Sequence, residues 1–107
     1  MWNTVFGVTK EGKKAHRYIL VNNKGMSVEL SDFGALVLSI YVLDKYGRKR
    51  DVVLGYDNLM DYYEQNTGFG AYIGRNANRI AGAEVTIEDI KYLLDKNDNQ
   101  NKSSQWV

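Results

Sequence analysis

Apolar and polar positions alternate in short runs along most of this chain, and each run ends at a cluster of turn-forming residues. Residues 16–21, HRYILV, lead into Asn22-Asn23-Lys24-Gly25, where Asn and Gly accept the left-handed backbone of a tight turn. Residues 26–30, MSVEL, then alternate with period two, the pattern of a half-buried strand. Beyond Asp32-Phe33-Gly34-Ala35 comes LVLSIYVL, residues 36–43, which is β-branched and apolar nearly throughout and predicts a strand covered on both faces. Asp44-Lys45-Tyr46-Gly47 turns the chain, and residues 50–55 begin another short strand. Further on, residues 83–87 and 90–94 flank the acidic pair Glu88-Asp89 and read as a hairpin.

One segment breaks the period. Residues 57–64, DNLMDYYE, place Leu59, Tyr62 and Tyr63 on one helical face, with Asp57 as the capping acceptor. Asp61 and Glu64 fall on the solvated side of the same helix. After Leu94 the sequence DKNDNQNKSSQ is polar and aperiodic; it reads as loop or disordered tail, closed by Trp106-Val107. The expectation is an all-β chain, a partial β-sandwich with one short helix, divided into a β segment at 1–94 and a polar tail at 95–107. A strand apolar on both faces, as at 36–43, calls for more covering layers than so short a chain obviously supplies.

Composition narrows the chemistry. The 107 residues suffice for one small domain, and Lys plus Arg number 14 against 13 acids, a net charge of +1. That balance offers no concentrated basic face, so nucleic acid is not an expected partner. No cysteine is present, which removes disulfides, thiolate nucleophiles and cysteine-bound zinc. The N-terminal residues lack the apolar core of a secretory signal and no apolar run reaches bilayer length, so a cytoplasmic protein without a membrane partner is expected. Asn101-Lys102-Ser103 matches a glycosylation acceptor by chance in that setting.

Residues 68–80, GFGAYIGRNANRI, concentrate glycine, arginine and asparagine. They miss the dinucleotide fingerprint by one residue, with no preceding βαβ unit, and no P-loop Gly-Lys-Ser/Thr follows. A bland reading is a tight crossing, where glycine lets two backbones approach. The functional reading places Asn78 and Arg79 on a polar pocket wall. An amide that both donates and accepts, beside a rigid fork of donors, suits the vicinal hydroxyls of a sugar.

Three blocks in order carry a resemblance. Ser31-Asp32-Phe33-Gly34-Ala35, then Asp51-Val52-Val53-Leu54-Gly55-Tyr56-Asp57, then Gly74-Arg75-Asn76-Ala77-Asn78-Arg79-Ile80 resemble the N-terminal part of the aldose 1-epimerases, the galactose mutarotases. Tyr92-Leu93-Leu94 and Asn97 follow in step, so the resemblance spans about residues 17–101 here and about the first third of a usual member. It implies a large twisted β-sandwich and cofactor-free interconversion of the α and β anomers of hexoses such as galactose or glucose. It also implies that Asn78 and Arg79 contact the sugar, with Gly70 and Gly74 serving the packing of that wall.

The reaction needs a base for the anomeric hydroxyl and an acid for the ring oxygen, for which a carboxylate and an imidazole suit. The family's first active-site histidine lies in an Asn-x-Leu-His-Gly-Gly pattern. From Asn101 onward Ser103 stands for the leucine, Ser104 for the histidine, and Gln105-Trp106 for the glycines. A serine hydroxyl does not titrate near neutrality and cannot take over the imidazole's role. The family's carboxylate comes from later in its chain. No catalytic residue is therefore assigned; the abrupt divergence is expected to reflect truncation. His16, the only histidine, reads as a strand-edge structural residue. Three readings stay open: an epimerase-like segment inefficient or inactive alone, a carbohydrate-binding β module, and a remnant that self-associates through an uncovered sheet.

Overall fold

The computed structural model describes residues 1–65, 67–74, 77–97 and the backbone of 102–103. Contacts divide the chain into two units, Met1–Tyr72 and Ile73–Val107. The first is a five-stranded antiparallel meander: β1 (Trp2–Val8), β2 (Lys14–Val21), β3 (Ser27–Ser31), β4 (Val37–Leu43) and β5 (Lys49–Asp51), paired in chain order. Three of its turns share one device. Thr9, Asn22 and Asp44 each open a turn with a side-chain oxygen that accepts backbone N–H groups, and a glycine with positive φ stands three residues later. A short polar acceptor followed by an unhindered residue closes each hairpin at little cost.

The helix α1 spans Leu59–Glu64. Its cap is Asn58 and not Asp57: Asn58 is extended, and its Oδ1 accepts from the Asp61 N–H at 3.0 Å. A residue one position earlier lies too far back to reach that amide. Leu59 and Tyr62 are buried, as the helical face requires, while Tyr63 is half-buried and meets Phe33 at a tilt, with 4.7 Å between ring centroids. Leu36, Leu38 and Tyr62 form the core, with Phe6, Phe33, Tyr56 and Ala71 packed around them. The Tyr62 hydroxyl is not stranded there, since it accepts from the Tyr56 N–H at 3.0 Å.

Strand register assigns the two sheet faces. Opposed residues share a face, so Tyr18, Leu20, Val28, Leu30, Ile40 and Val42 stand together on one side. Arg17, Glu29 and Phe6 stand on the other, the side α1 closes. A bulge opposite Glu29 and Leu30 turns Leu38 toward the helix, where it is only 5% exposed. The expected cover on both faces of β4 is not what the structure shows. Val37, Ile40 and Val42 are only half-buried and Leu43 is 50% exposed, because α1 is two turns long and sits over one side.

In the second unit, β7 (Glu84–Ile87) and β8 (Ile90–Leu93) form the expected hairpin, with Glu88 and Asp89 at its turn, both at positive φ. A short strand β6 (Ile80–Ala81) pairs with β9 (Lys102–Ser103), a pairing inside the stretch expected to be a structureless tail. Residues 98–101 and 104–107 of that stretch lie outside the described residues. Among the described residues no helix is long and apolar enough to cross a membrane.

Candidate functional site

The glycine-rich stretch is divided between the two units. Gly70, at φ 67°, lies against β4: its carbonyl accepts from the Val37 N–H at 2.8 Å, and a Cβ there would overlap the Val37 carbonyl oxygen. This is the tight backbone crossing that the glycines suggest. Gly74 is exposed, and Arg75 and Asn76 lie outside the described residues.

Asn78 and Arg79 are both exposed and belong to the second unit. Asn78 has φ 67°, a left-handed conformation that Asn tolerates better than most residues. Arg79 follows and leads into β6, whose end is held by a turn: the Ala83 N–H donates to the Ile80 carbonyl at 3.2 Å. Ala83, 1% exposed, accepts in turn from the Leu94 N–H at 2.8 Å. The pair is therefore presented from a kinked segment tied at its C-terminal side to a hairpin.

A second cluster forms in the first unit. Asp32 accepts from the His16 backbone N–H at 2.7 Å and meets His16 Nδ1 at 2.9 Å, while the Tyr18 hydroxyl donates to Oδ2 at 3.4 Å. The His16 N–H bond, aided by the imidazole, holds the Asp32 carboxyl below the usual carboxylate range against a smaller opposing effect of burial. Ser31 is 3% exposed, and its hydroxyl accepts from the Phe33 N–H at 3.1 Å. The Ser31-Asp32 pair thus staples the end of β3 to β2 and shapes the turn into β4. Sequence reading left the partner of His16 unassigned, though a signal was present. Counting back from the turn at 22–25 pairs Arg17 with Ser31, which sets His16 beside Asp32.

Chemically, Asn78 and Arg79 offer hydrogen bonds and a fixed positive charge, but neither exchanges protons near neutrality. His16 is the residue type suited to that exchange, and its Nδ1 is occupied by Asp32. Among the described residues no group of three or more His, Asp or Glu side chains gathers to hold a metal ion.

Comparison with known proteins adds the context. The family model described as aldose 1-epimerase matches residues 16–105, which runs past the compositional change at residue 94. Galactose mutarotase of Rattus norvegicus is 34% identical over 98 residues, 92% of this chain and 29% of that protein. Aldose 1-epimerase of Escherichia coli K12 is 33% identical over 102 residues, 95% of this chain and 30% of its own length. A solved aldose epimerase homologue from C. elegans superposes with a TM-score of 0.74 at 26% identity, over 81% of this chain and 27% of that one. A galactose 1-epimerase from Lactobacillus acidophilus gives the same TM-score at 19% identity and speaks for the fold alone. The chain spans less than a third of the length of the curated relatives it matches.

Proposed function

We propose, for a chain that belongs to the aldose 1-epimerase family, that it engages hexoses such as galactose or glucose through Asn78 and Arg79 and does not by itself accelerate anomer exchange. The observation that carries the reading is the family match over residues 16–105, which includes the Ala77-Asn78-Arg79-Ile80 motif. The geometry supports it: the left-handed kink at Asn78 and the tie through Ala83 fix where the two side chains emerge.

The second half of the proposal rests on chemistry. Ring opening needs one proton removed and another delivered within hydrogen-bond reach of the same sugar. Ser103 and Ser104 stand at the positions of the family's Leu-His pair, and His16 is committed to Asp32.

Two measurements test it together. Polarimetry of freshly dissolved α-D-galactose should show the same rate with and without the chain. NMR titration with galactose should show saturable binding, weakened at least about tenfold, or by roughly 1.4 kcal/mol, in Arg79→Ala. Asn78→Gly keeps the backbone conformation and removes the amide, so it should weaken binding with the fold intact. A mutarotation rate rising in proportion to protein would overturn the inactivity; the absence of saturable binding would overturn the sugar contact.

A further inference from the structure

Two neighbouring turns gather positive charge at one end of the first unit. The β2–β3 turn carries Lys24, and the β4–β5 hairpin carries Lys45, Arg48, Lys49 and Arg50, all exposed. Strand order puts both turns at the same end of the sheet, where a Cβ on Gly25 would meet the Leu43 side chain at 2.9 Å. Among the described residues, one acid stands with these five bases. It is Asp44, taken up by Arg48 at 3.1 Å and Arg50 at 3.3 Å. Asp51, further along β5, accepts from the Ile40 and Val53 N–H groups instead. The net charge of +1 conceals this pole, because the other end of the unit carries Asp57, Asp61 and Glu64 at α1. Apolar and aromatic tips stand among the bases. Tyr46 is 68% exposed, with Lys45 Nζ 4.9 Å and Arg48 Cζ 5.0 Å from its ring centre. Val21, Met26 and Leu43 are exposed around the same two turns.

We propose that this end of the sheet is a peripheral docking surface for a bilayer rich in anionic phospholipid. The inference goes beyond the sugar reading and does not depend on it. Headgroup phosphates complement a cluster of ammonium and guanidinium groups. The apolar tips choose between anionic partners. A bilayer boundary accepts Val21, Met26 and Leu43 along with an amphipathic ring such as Tyr46, whereas the phosphates and base edges of a nucleic acid leave the aliphatic side chains unmatched. Lysine and arginine stems lie along such a boundary while their charges stay with the phosphates. The link to the second unit leaves from the opposite end. The first unit ends at Tyr72, just past Gly70, which pairs with Val37 at the start of β4. Val37 and Leu43 are about 20 Å apart along that strand at roughly 3.3 Å per residue. The acids of α1 lie at that far end too, beyond the Debye length of about 8 Å at physiological salt, so an anionic surface repels them weakly.

Co-sedimentation of the full chain with vesicles tests the docking. Vesicles of phosphatidylcholine with about a third phosphatidylserine should retain the chain at low salt and release it as ionic strength rises. Vesicles of phosphatidylcholine alone should not retain it. Lys45→Glu combined with Lys49→Glu should weaken binding at least about tenfold. Lys10→Glu combined with Lys13→Glu changes the net charge equally at the other end and should weaken binding less than about twofold. Tyr46→Ser should weaken it with all charges kept. A chain that stays in solution beside the phosphatidylserine vesicles overturns the proposal, whether or not it binds a single-stranded RNA oligonucleotide. So does an equal loss in the two charge-reversal pairs, which would mean that net charge alone acts. In the wild type, the amide signals of residues 23–25 and 45–49 should broaden first as vesicles are added. Broadening that begins in residues 57–64 overturns the assignment, and this pattern alone decides if the Lys45→Glu, Lys49→Glu variant loses its β circular dichroism.

Discussion

Gly70 shows how one residue type can be required for two independent reasons. Its φ of 67° disfavours any L side chain, and a Cβ would run into the Val37 carbonyl across a backbone hydrogen bond. Gly70→Ala is expected to lower stability by about 2–4 kcal/mol, the left-handed strain plus the displacement of a packed strand. Urea unfolding would measure it, and a loss below half a kilocalorie would show that the loop slides away from β4 freely. Asn78, by contrast, occupies similar φ without being glycine, which keeps a hydrogen-bonding side chain at a kinked position. Sequence reading singled Asn78 out for its side-chain chemistry; its left-handed backbone came only from the structure. Asp32 gives the opposite case: its role as a staple could be counted out from the turn at 22–25, but only once the hairpin register was known.

Elements were legible wherever a local signal punctuated them. The turns at 22–25 and 44–47 were visible from their Asn, Asp and Gly residues; the structure adds that the Asn22 and Asp44 side chains accept backbone N–H groups there, with a positive-φ glycine three residues on. The same layout at Thr9–Gly12 closes the β1–β2 hairpin, but β1, WNTVFGV, does not alternate cleanly and so carries no strand period in the sequence. Its bulge between Val5 and Gly7 breaks the period. The helix was found but its cap was placed one residue early, since Asp57 and Asn58 are equally good capping types and only the backbone chooses between them. Asn58→Ala should therefore cost about 1 kcal/mol and Asp57→Ala a few tenths at most, measured by chemical unfolding of each variant. Equal effects would mean that the two side chains share the cap. The pairing of β6 with β9 had no local signal, because two-residue strands in a polar stretch carry no period.

Across the whole molecule, carboxylates at the turns tie the sheet together and set its response to acid. Backbone N–H bonds from Arg48 and Tyr46, with the Arg48 and Arg50 guanidinium groups, hold Asp44 below its ordinary range, as the His16 N–H holds Asp32. Both groups are more acidic folded than unfolded, so the unfolded chain takes up protons first. Their contribution is present in full above the unfolded carboxylate value of about 3.9 and is lost as pH falls through the lower folded values. Unfolding midpoints in urea should thus fall below about pH 4, modestly because both groups are solvent-screened, and fall less in Asp44→Asn, whose amide accepts the same N–H bonds without titrating. Identical slopes would refute the assignment. At this scale the sequence by itself determined the class of the fold, the turns at 22–25, 44–47 and 88–89, the helix and the family motif at residues 74–80, because each depends on neighbours in the chain. Tertiary structure decided the rest: which face of β4 is covered, that Asp32 anchors His16, and that Gly70 pairs with Val37. Those outcomes depend on register and on distances between residues far apart in sequence, which periodicity does not encode.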